Sequence, residues 1–381
     1  MNIFIMKKKK LFCLISATLF AVGSATFASA AEEKKESYFI GFQNDQALEG
    51  FVDMMENPGE GVFSVNEMMN FSVSHTYQET PAVVASLTAE EARKLQEAGG
   101  VSYVEKDALM TISRQTTPEN IMQIGAPAAH RRDLSGEGVK VAVLDTGIAN
   151  HPDLRIAGGV SFIDGESYTD KNGHGTHVAG TIAARDNHIG IVGVAPDADL
   201  YAVNVLGSAG SALTSVVIQG IEWAIENDMD IVNLSLGSNA PSRTLEAAVD
   251  AARENDVLVV AASGNDGHPF VSYPARYLSV LSVGAVDENN RRASFSQYGS
   301  GLDIVAPGVD VLSTFLDGSY VRASGTSMAT PAVAGAAALL KEKHPAWTAS
   351  QIEMGLLTEA DSLRSRFEYG YGLLNADRAT R

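Results

Sequence analysis

Five predominantly apolar runs, rich in β-branched residues, do most to limit what this chain can fold into: 139–144, 200–205, 231–235, 257–262 and 279–284. A strand with one wet face alternates polar and apolar residues, whereas a run without alternation is covered on both faces. Helical patterns lie between the runs, including Leu213 to Asn227 and Thr244 to Asn255. Alternating strands and helices predict a doubly wound α/β domain around a mostly parallel sheet. One further stretch, Ala332 to Leu340, is apolar on every side and predicts a buried helix. It follows the turn Gly325-Thr326-Ser327-Met328-Ala329-Thr330-Pro331, with Pro331 expected in the first helical turn.

The amino-terminal third reads differently. Lys7 to Lys10 are basic, Leu11 to Val22 are apolar, and Ala28-Ser29-Ala30 has the small-x-small pattern of a signal-peptidase site. Residues 1–30 are therefore expected to be a signal peptide, and the protein to be secreted and extracellular. No later stretch reaches a bilayer's width, so no membrane association is expected after signal removal. The single cysteine, Cys13, lies inside this segment, which leaves the mature chain without disulfides. Strands are predicted at 37–42, 82–87 and 101–105, with a short helix from Leu48 to Met55. Thr88-Ala89-Glu90-Glu91 is a capping box that opens a helix running to about Ala98, where Gly99-Gly100 stops it. These elements predict a small α+β domain with both helices on one sheet face, followed by a linker from Met110 to Pro118.

With 45% apolar residues in 381, the chain can bury a large core. A net charge of -18 argues against a nucleic-acid partner, which needs clustered Lys and Arg.

In an open parallel sheet, sites lie at the carboxyl ends of strands. Asp145 ends the first long run, where a carboxylate either caps a turn or meets a buried partner. His174 and His177 stand in a Gly-flanked stretch ahead of small residues. Metal ligands on a helix also use that spacing, but no third His or carboxylate completes a known zinc pattern nearby. Ser327 stands at a buried helix start, where unpaired N–H groups and the helix dipole favour negative charge. Serine there can cap the helix or act as a nucleophile. Asn265 follows a buried strand, in a sequence that also suits a turn. Together these residues form an acid, base and nucleophile set in the order Asp, His, Ser.

Asp145-Thr146-Gly147, His174-Gly175-Thr176-His177-Val178-Ala179-Gly180 and Gly325-Thr326-Ser327-Met328-Ala329-Thr330-Pro331 resemble the three signature motifs of subtilisin-type serine proteases. The similarity runs from Gln115 to Arg381 and extends to the high-alkaline bacillus-type branch. The resemblance implies a catalytic domain over 114–381, with Ser327 as nucleophile, His174 as base, Asp145 as its orienter and Asn265 as oxyanion donor; His177 is then a packing residue. It implies protein and peptide substrates, bound by Ser235, Leu236 and Gly237 on one wall, Ala262 and Gly264 on the other, and Gly210 and Ser211 at an edge. No acid falls at the pocket floor, so broad specificity with large apolar or aromatic residues before the cut is expected, with Asp266 at the rim. Residues 31–113 would be an inhibitory propeptide that occupies the cleft before self-cleavage near Ser113-Arg114. The family also implies Ca²⁺ held by Gln115, Asp153 and Asn187 with the carbonyls of Arg185, Ile189 and Ile191, and a weaker cation site at the carbonyls of Ala275, Tyr277 and Val280. A monomer is expected. Ala332 and Ala212 depart from residues usual in the family, a histidine and a glycine.

Overall fold

The computed structural model describes residues 35–56, 71–107 and 115–381. The predicted signal peptide and the predicted cleavage point lie outside the described residues. Two compact units divide at Thr111 and Ile112.

In the first unit the elements run β1 (Glu36–Phe42), α1 (Asp45–Glu56), β2 (Ser72–Thr76), β3 (Ala82–Leu87), α2 (Ala89–Gln96) and β4 (Val101–Lys106). The sheet order is β2-β3-β1-β4, a split βαβ arrangement. Alternation decides which face is buried. Tyr38, Ile40 and Phe42 of β1 and Val83, Ala85 and Leu87 of β3 share one cluster with Leu48 and Phe51 of α1 and Ala92 and Leu95 of α2, so both helices cover the same face. The capping box is formed: Thr88 Oγ1 accepts from the Glu91 N–H at 3.2 Å, and the Glu91 carboxylate accepts from the Thr88 N–H at 2.7 Å. β2 escapes the sequence reading because it is a polar, mostly exposed strand.

The second unit runs α3 (Glu119–Gln123), α4 (Ala126–His130), β5 (Lys140–Asp145), β6 (Ile156–Ser161), α5 (His174–Ala183), β7 (Asp199–Asn204), α6 (Thr214–Glu226), β8 (Ile231–Leu234), α7 (Arg243–Glu254) and β9 (Leu258–Ala262). It continues with β10 (Val280–Val286), β11 (Ile304–Pro307), β12 (Val311–Thr314), β13 (Tyr320–Ala323), α8 (Thr326–Lys343), α9 (Ala349–Thr358), α10 (Arg366–Tyr369) and α11 (Ala376–Ala379). Seven parallel strands form a sheet in the order β11-β10-β9-β8-β5-β7-β6. The five apolar runs are its five inner strands. Val141 and Val143 of β5 join the core beneath α5, α8 and α9, while Ala142 and Leu144 join the core beneath α6 and α7. Burial on both faces is why the runs lack alternation.

α8 is the central element, buried along its length from Met328 to Leu340. It approaches its neighbours closely at Gly335, where an added Cβ would lie 2.6 Å from Val194 Cβ. Pro331 lies in the second turn of α8, not the first, and the helix continues through it. Proline removes the N–H that would bond the carbonyl four residues back, that of Ser327. That carbonyl is satisfied from outside the helix, by Ser235 Oγ at 2.9 Å.

Candidate active site

β5 delivers Asp145, fully buried, to the carboxyl end of the sheet, and α5 begins at His174. His174 Nδ1 lies 2.7 and 2.9 Å from the two oxygens of Asp145. An ionised carboxylate only accepts, so the proton sits on Nδ1 and Nε2 is left with its lone pair. The charge on Asp145 raises the His174 pKa above its ordinary value; burial opposes this, and the Asp145 hydrogen bond and the charge of Asp170 add to it. His177 faces the other way. Its Nε2 lies 3.1 and 3.2 Å from the carbonyls of Val311 and Val321, and burial lowers its pKa to about 4, so it stays neutral.

Ser327 is the second residue of α8, and its hydroxyl donates to the Ser235 carbonyl at 3.0 Å. Asn233 Nδ2 in turn donates to Ser235 Oγ at 3.0 Å. Asn265 follows β9, and its Oδ1 accepts from the N–H and hydroxyl of Thr326 at 2.9 and 3.0 Å. Because those two groups are the donors, the amide oxygen is committed to the start of α8. Nδ2 is turned the other way, 3.5 Å from where a Cβ on Gly325 would stand.

Two cavities adjoin these groups. One of about 330 Å³ is lined by His174, Gly210, Ser211, Ser235, Leu236 and Gly237 among others. The second, about 280 Å³, is lined by Ala262, Gly264, Asn265, Asp266, Gln297 and Ser327 among others, and shares Leu236 and Gly237 with the first. Every residue expected to bind substrate therefore lines one cavity or the other. Gly210 lies in a turn, with its N–H donating to Gly207, rather than in an extended edge. The wall at Gly264 needs glycine: its φ is +112°, and a Cβ would fall 2.0 Å from Gln297 Oε1.

The residues expected to hold Ca²⁺ also converge. Gln115 bonds the carbonyls of Arg185 and Ile191 through its amide nitrogen, and its Oε1 accepts from the His188 N–H at 3.1 Å. Asp153 is fully buried; Oδ2 accepts from Ile191 N–H and the Tyr320 hydroxyl, while Oδ1 has no partner. Asn187 folds back with Oδ1 on the Ile189 N–H at 3.1 Å. Among the described residues no three His, Cys, Asp or Glu side chains cluster as metal ligands. The donor set is instead one buried carboxylate with amide and backbone oxygens, the all-oxygen chemistry a hard cation takes, and the unpartnered, buried Oδ1 of Asp153 fits such an ion. Ala275, Tyr277 and Val280 lie just ahead of and at the start of β10, and the Tyr277 carbonyl accepts from the Val280 N–H at 3.1 Å.

Sequence reasoning missed Asp170, Thr146, Thr326 and Gln297, all buried beside these groups. An Asp four residues ahead of a Gly-His helix start was the available signal for the first.

The fold and this arrangement define a class, and comparison with known proteins agrees with it. The chain matches the subtilase family model over residues 136–372. It is 52% identical over 379 residues to the alkaline protease of Alkalihalobacillus alcalophilus, covering 98% of this chain and 100% of that one. To subtilisin Savinase of Lederbergia lenta it is 61% identical over 268 residues, 70% of this chain and 100% of that one. To subtilisin NAT of Bacillus subtilis subsp. natto it is 42% identical over 387 residues, 98% of this chain and 100% of that one. The chain belongs to the subtilase family and is a serine endopeptidase.

Proposed function

We propose that this chain is a secreted endopeptidase of broad specificity that cuts proteins after large apolar or aromatic residues, by an acyl-enzyme route through Asp145, His174 and Ser327. The observation that carries the reading is the double contact of His174 Nδ1 with Asp145, which leaves Nε2 basic beside the cleft that Ser327 lines. Rotation about the Ser327 side chain takes its hydroxyl from the Ser235 carbonyl toward Nε2. Oγ then attacks the scissile carbonyl carbon as His174 takes its proton, and Asp145 stabilises the imidazolium. The oxyanion accepts from Asn265 Nδ2 and from the Ser327 N–H, which the first turn of α8 leaves without an intrahelical partner. The Asn265 contribution is about 3 kcal/mol, a value taken from a related subtilisin. His174 passes the proton to the departing amine, and a water activated the same way releases the acyl group.

Residues 1–30 are read as the signal peptide, 31–113 as an inhibitory propeptide that the enzyme itself removes, and 114–381 as the catalytic domain. In support, the whole of subtilisin Savinase aligns with 268 residues of this chain, the length of the segment from 114 to the end. Gln115, Asp153 and Asn187, with the carbonyls of Arg185, Ile189 and Ile191, would hold Ca²⁺; the carbonyls of Ala275, Tyr277 and Val280 would hold a second, weaker cation. The ion supplies cross-linking of the native state and takes no part in acyl transfer. It stabilises by roughly 2.7 kcal/mol at a hundredfold excess over Kd. The mature enzyme is read as a monomer.

Ser327→Ala tests the route: kcat on a chromogenic peptide should fall by roughly a millionfold, a value taken from a related subtilisin, and the precursor should stay uncut. A variant that still matures alone overturns the assignment. Chelation of the mature enzyme should shorten its half-life on heating without changing initial turnover, and Asp153→Ala should lose the protection that calcium gives. Equal protection of both proteins would remove these residues as ligands.

A further inference from the structure

Asp170 lies in the loop between β6 and α5, 4% exposed, and its two oxygens accept five hydrogen bonds. Oδ1 takes the Thr146 hydroxyl at 2.9 Å and the N–H groups of Asn172 and Gly173 at 2.8 and 2.9 Å. Oδ2 takes the N–H and hydroxyl of Thr176 at 3.0 and 2.6 Å. Both hydroxyls then act as acceptors in turn. Thr146 Oγ1 accepts from the Gly175 N–H at 3.0 Å, and Thr176 Oγ1 from the Ala149 N–H at 2.9 Å. One carboxylate thus ties the residue after Asp145 to the first turn of the helix that starts at His174, in both directions. The tie holds the two elements close: a Cβ on Gly175 would meet the Gly147 carbonyl oxygen at 2.1 Å and Asp145 Cβ at 3.1 Å.

We propose that Asp170 is a positioning residue for the general base, fixing the start of α5 on the end of β5 and so setting the geometry of His174 against Asp145. The inference rests on the reading of His174 as that base. Asp170 lines neither cavity and acts only through the residues it holds; Thr146 and Asn172 among them line the first cavity, so an unchanged KM is what separates an effect on His174 from one on substrate. Its charge also bears on the imidazole. The ionisable groups acting on His174 are Asp145 at the end of β5, Asp170 in the loop and neutral His177 one turn along α5. Of the two carboxylates Asp170 is the weaker influence, and both favour the protonated ring.

The test compares Asp170→Asn, Thr146→Val and Thr146→Ser in the full chain, matured and assayed on a chromogenic peptide across pH. Asp170→Asn should lower kcat roughly ten- to a hundredfold, as a misplaced catalytic group does, with KM little changed. Removing a negative charge lowers the His174 pKa, so the acid limb of the kcat profile should move to lower pH. Thr146→Val breaks the tie but keeps the charge: kcat should fall with little movement of the limb, and Thr146→Ser should restore it. The Thr146 pair decides the matter if Asp170→Asn does not fold. In parallel, the His174 ring is titrated by NMR in the full chain carrying Ser327→Ala, with and without Asp170→Asn. An unmoved His174 titration together with unchanged kcat overturns the role of Asp170. A His174 titration that moves while the acid limb stays put shows that Asp170 acts on His174 but overturns His174 as the base, and with it the positioning role.

Discussion

The two units of this chain solve the problem of burial in opposite ways. Among the described residues of the first unit, the only buried side chain that carries a polar group is Tyr38. The second unit buries Asp145, Asp153, Asp170, His177, Asn204, Asn233 and Gln297, all within the cores or loops at the sheet. A buried polar group costs free energy unless hydrogen bonds replace its water. The small unit has one apolar cluster on a four-stranded sheet, hence little apolar burial to offset such costs, whereas the large one has a cluster on each face of a seven-stranded sheet. Chemistry is concentrated where the apolar surplus is largest.

That contrast can be broken by equal injuries to the two cores. Phe51, 1% exposed and packed at 4.9 Å between ring centroids on Phe42, belongs to the small core. Phe51→Ala should cost about 3–5 kcal/mol, comparable to all the stability such a domain has, and unfold the first unit. Leu144→Ala in the large core should cost about 2–5 kcal/mol and leave the second unit folded with a lower melting temperature. Hydrogen exchange on the full chain carrying Ser327→Ala reads each unit separately; equal survival of both would refute the contrast.

A middle-sized effect comes from acid. His177 has its folded pKa depressed to about 4, so its unfolded form binds a proton that the native form refuses. Stability from this source is present above about pH 6.5 and lost as pH falls toward 4, on the order of 3 kcal/mol in all. Asp303 works in the opposite sense, since burial raises its pKa to about 7. The difference between parent and His177→Gln isolates the histidine: the variant should lose less stability between pH 6.5 and 4 in urea titrations. Parallel curves would contradict the neutral, doubly bonded ring.

The smallest test uses one chemistry in both units. Thr88 and Thr348 each close a capping box, at α2 and α9. Each Thr→Ala change should cost about 1 kcal/mol. The same loss should shift the melting of the small unit by about 4–8 °C and that of the large one by about 2–4 °C, because the unfolding entropy grows with size. Identical shifts in calorimetry would mean that the units melt together.

The inner strands were legible because burial on both faces writes an unbroken apolar run. The edges were not. β6 carries Gly158 and Gly159, the second so close to the sheet that a Cβ would stand 2.6 Å from the Ala202 carbonyl oxygen. β11 is four residues ending in Pro307. At the site, Asp145, His174, Ser327 and Asn265 could be picked out because each sits at a strand end or helix start. For Asp170 the one signal was its place four residues ahead of His174, and that says little alone, since its meaning lies in Thr146, 24 positions away, and in bonds that exist only once β5 and α5 have met.

The sheet's polarity has a practical side. Asp145, Ser235 and Asn265 lie at or just beyond the carboxyl ends of β5, β8 and β9, so the turns that enter β8 and β9 lie at the opposite end of the sheet. Those turns, at Asn227-Asp228 and Asn255-Asp256, are exposed, with both aspartates in left-handed backbone at φ 53° and 65°. Cys13 is the chain's one cysteine, so Asn227→Cys would give a protein lacking residues 1–30 a single thiol handle. Coupled to a bead through that handle, the enzyme would stand with its mouth outward, open to substrates too large to enter a pore.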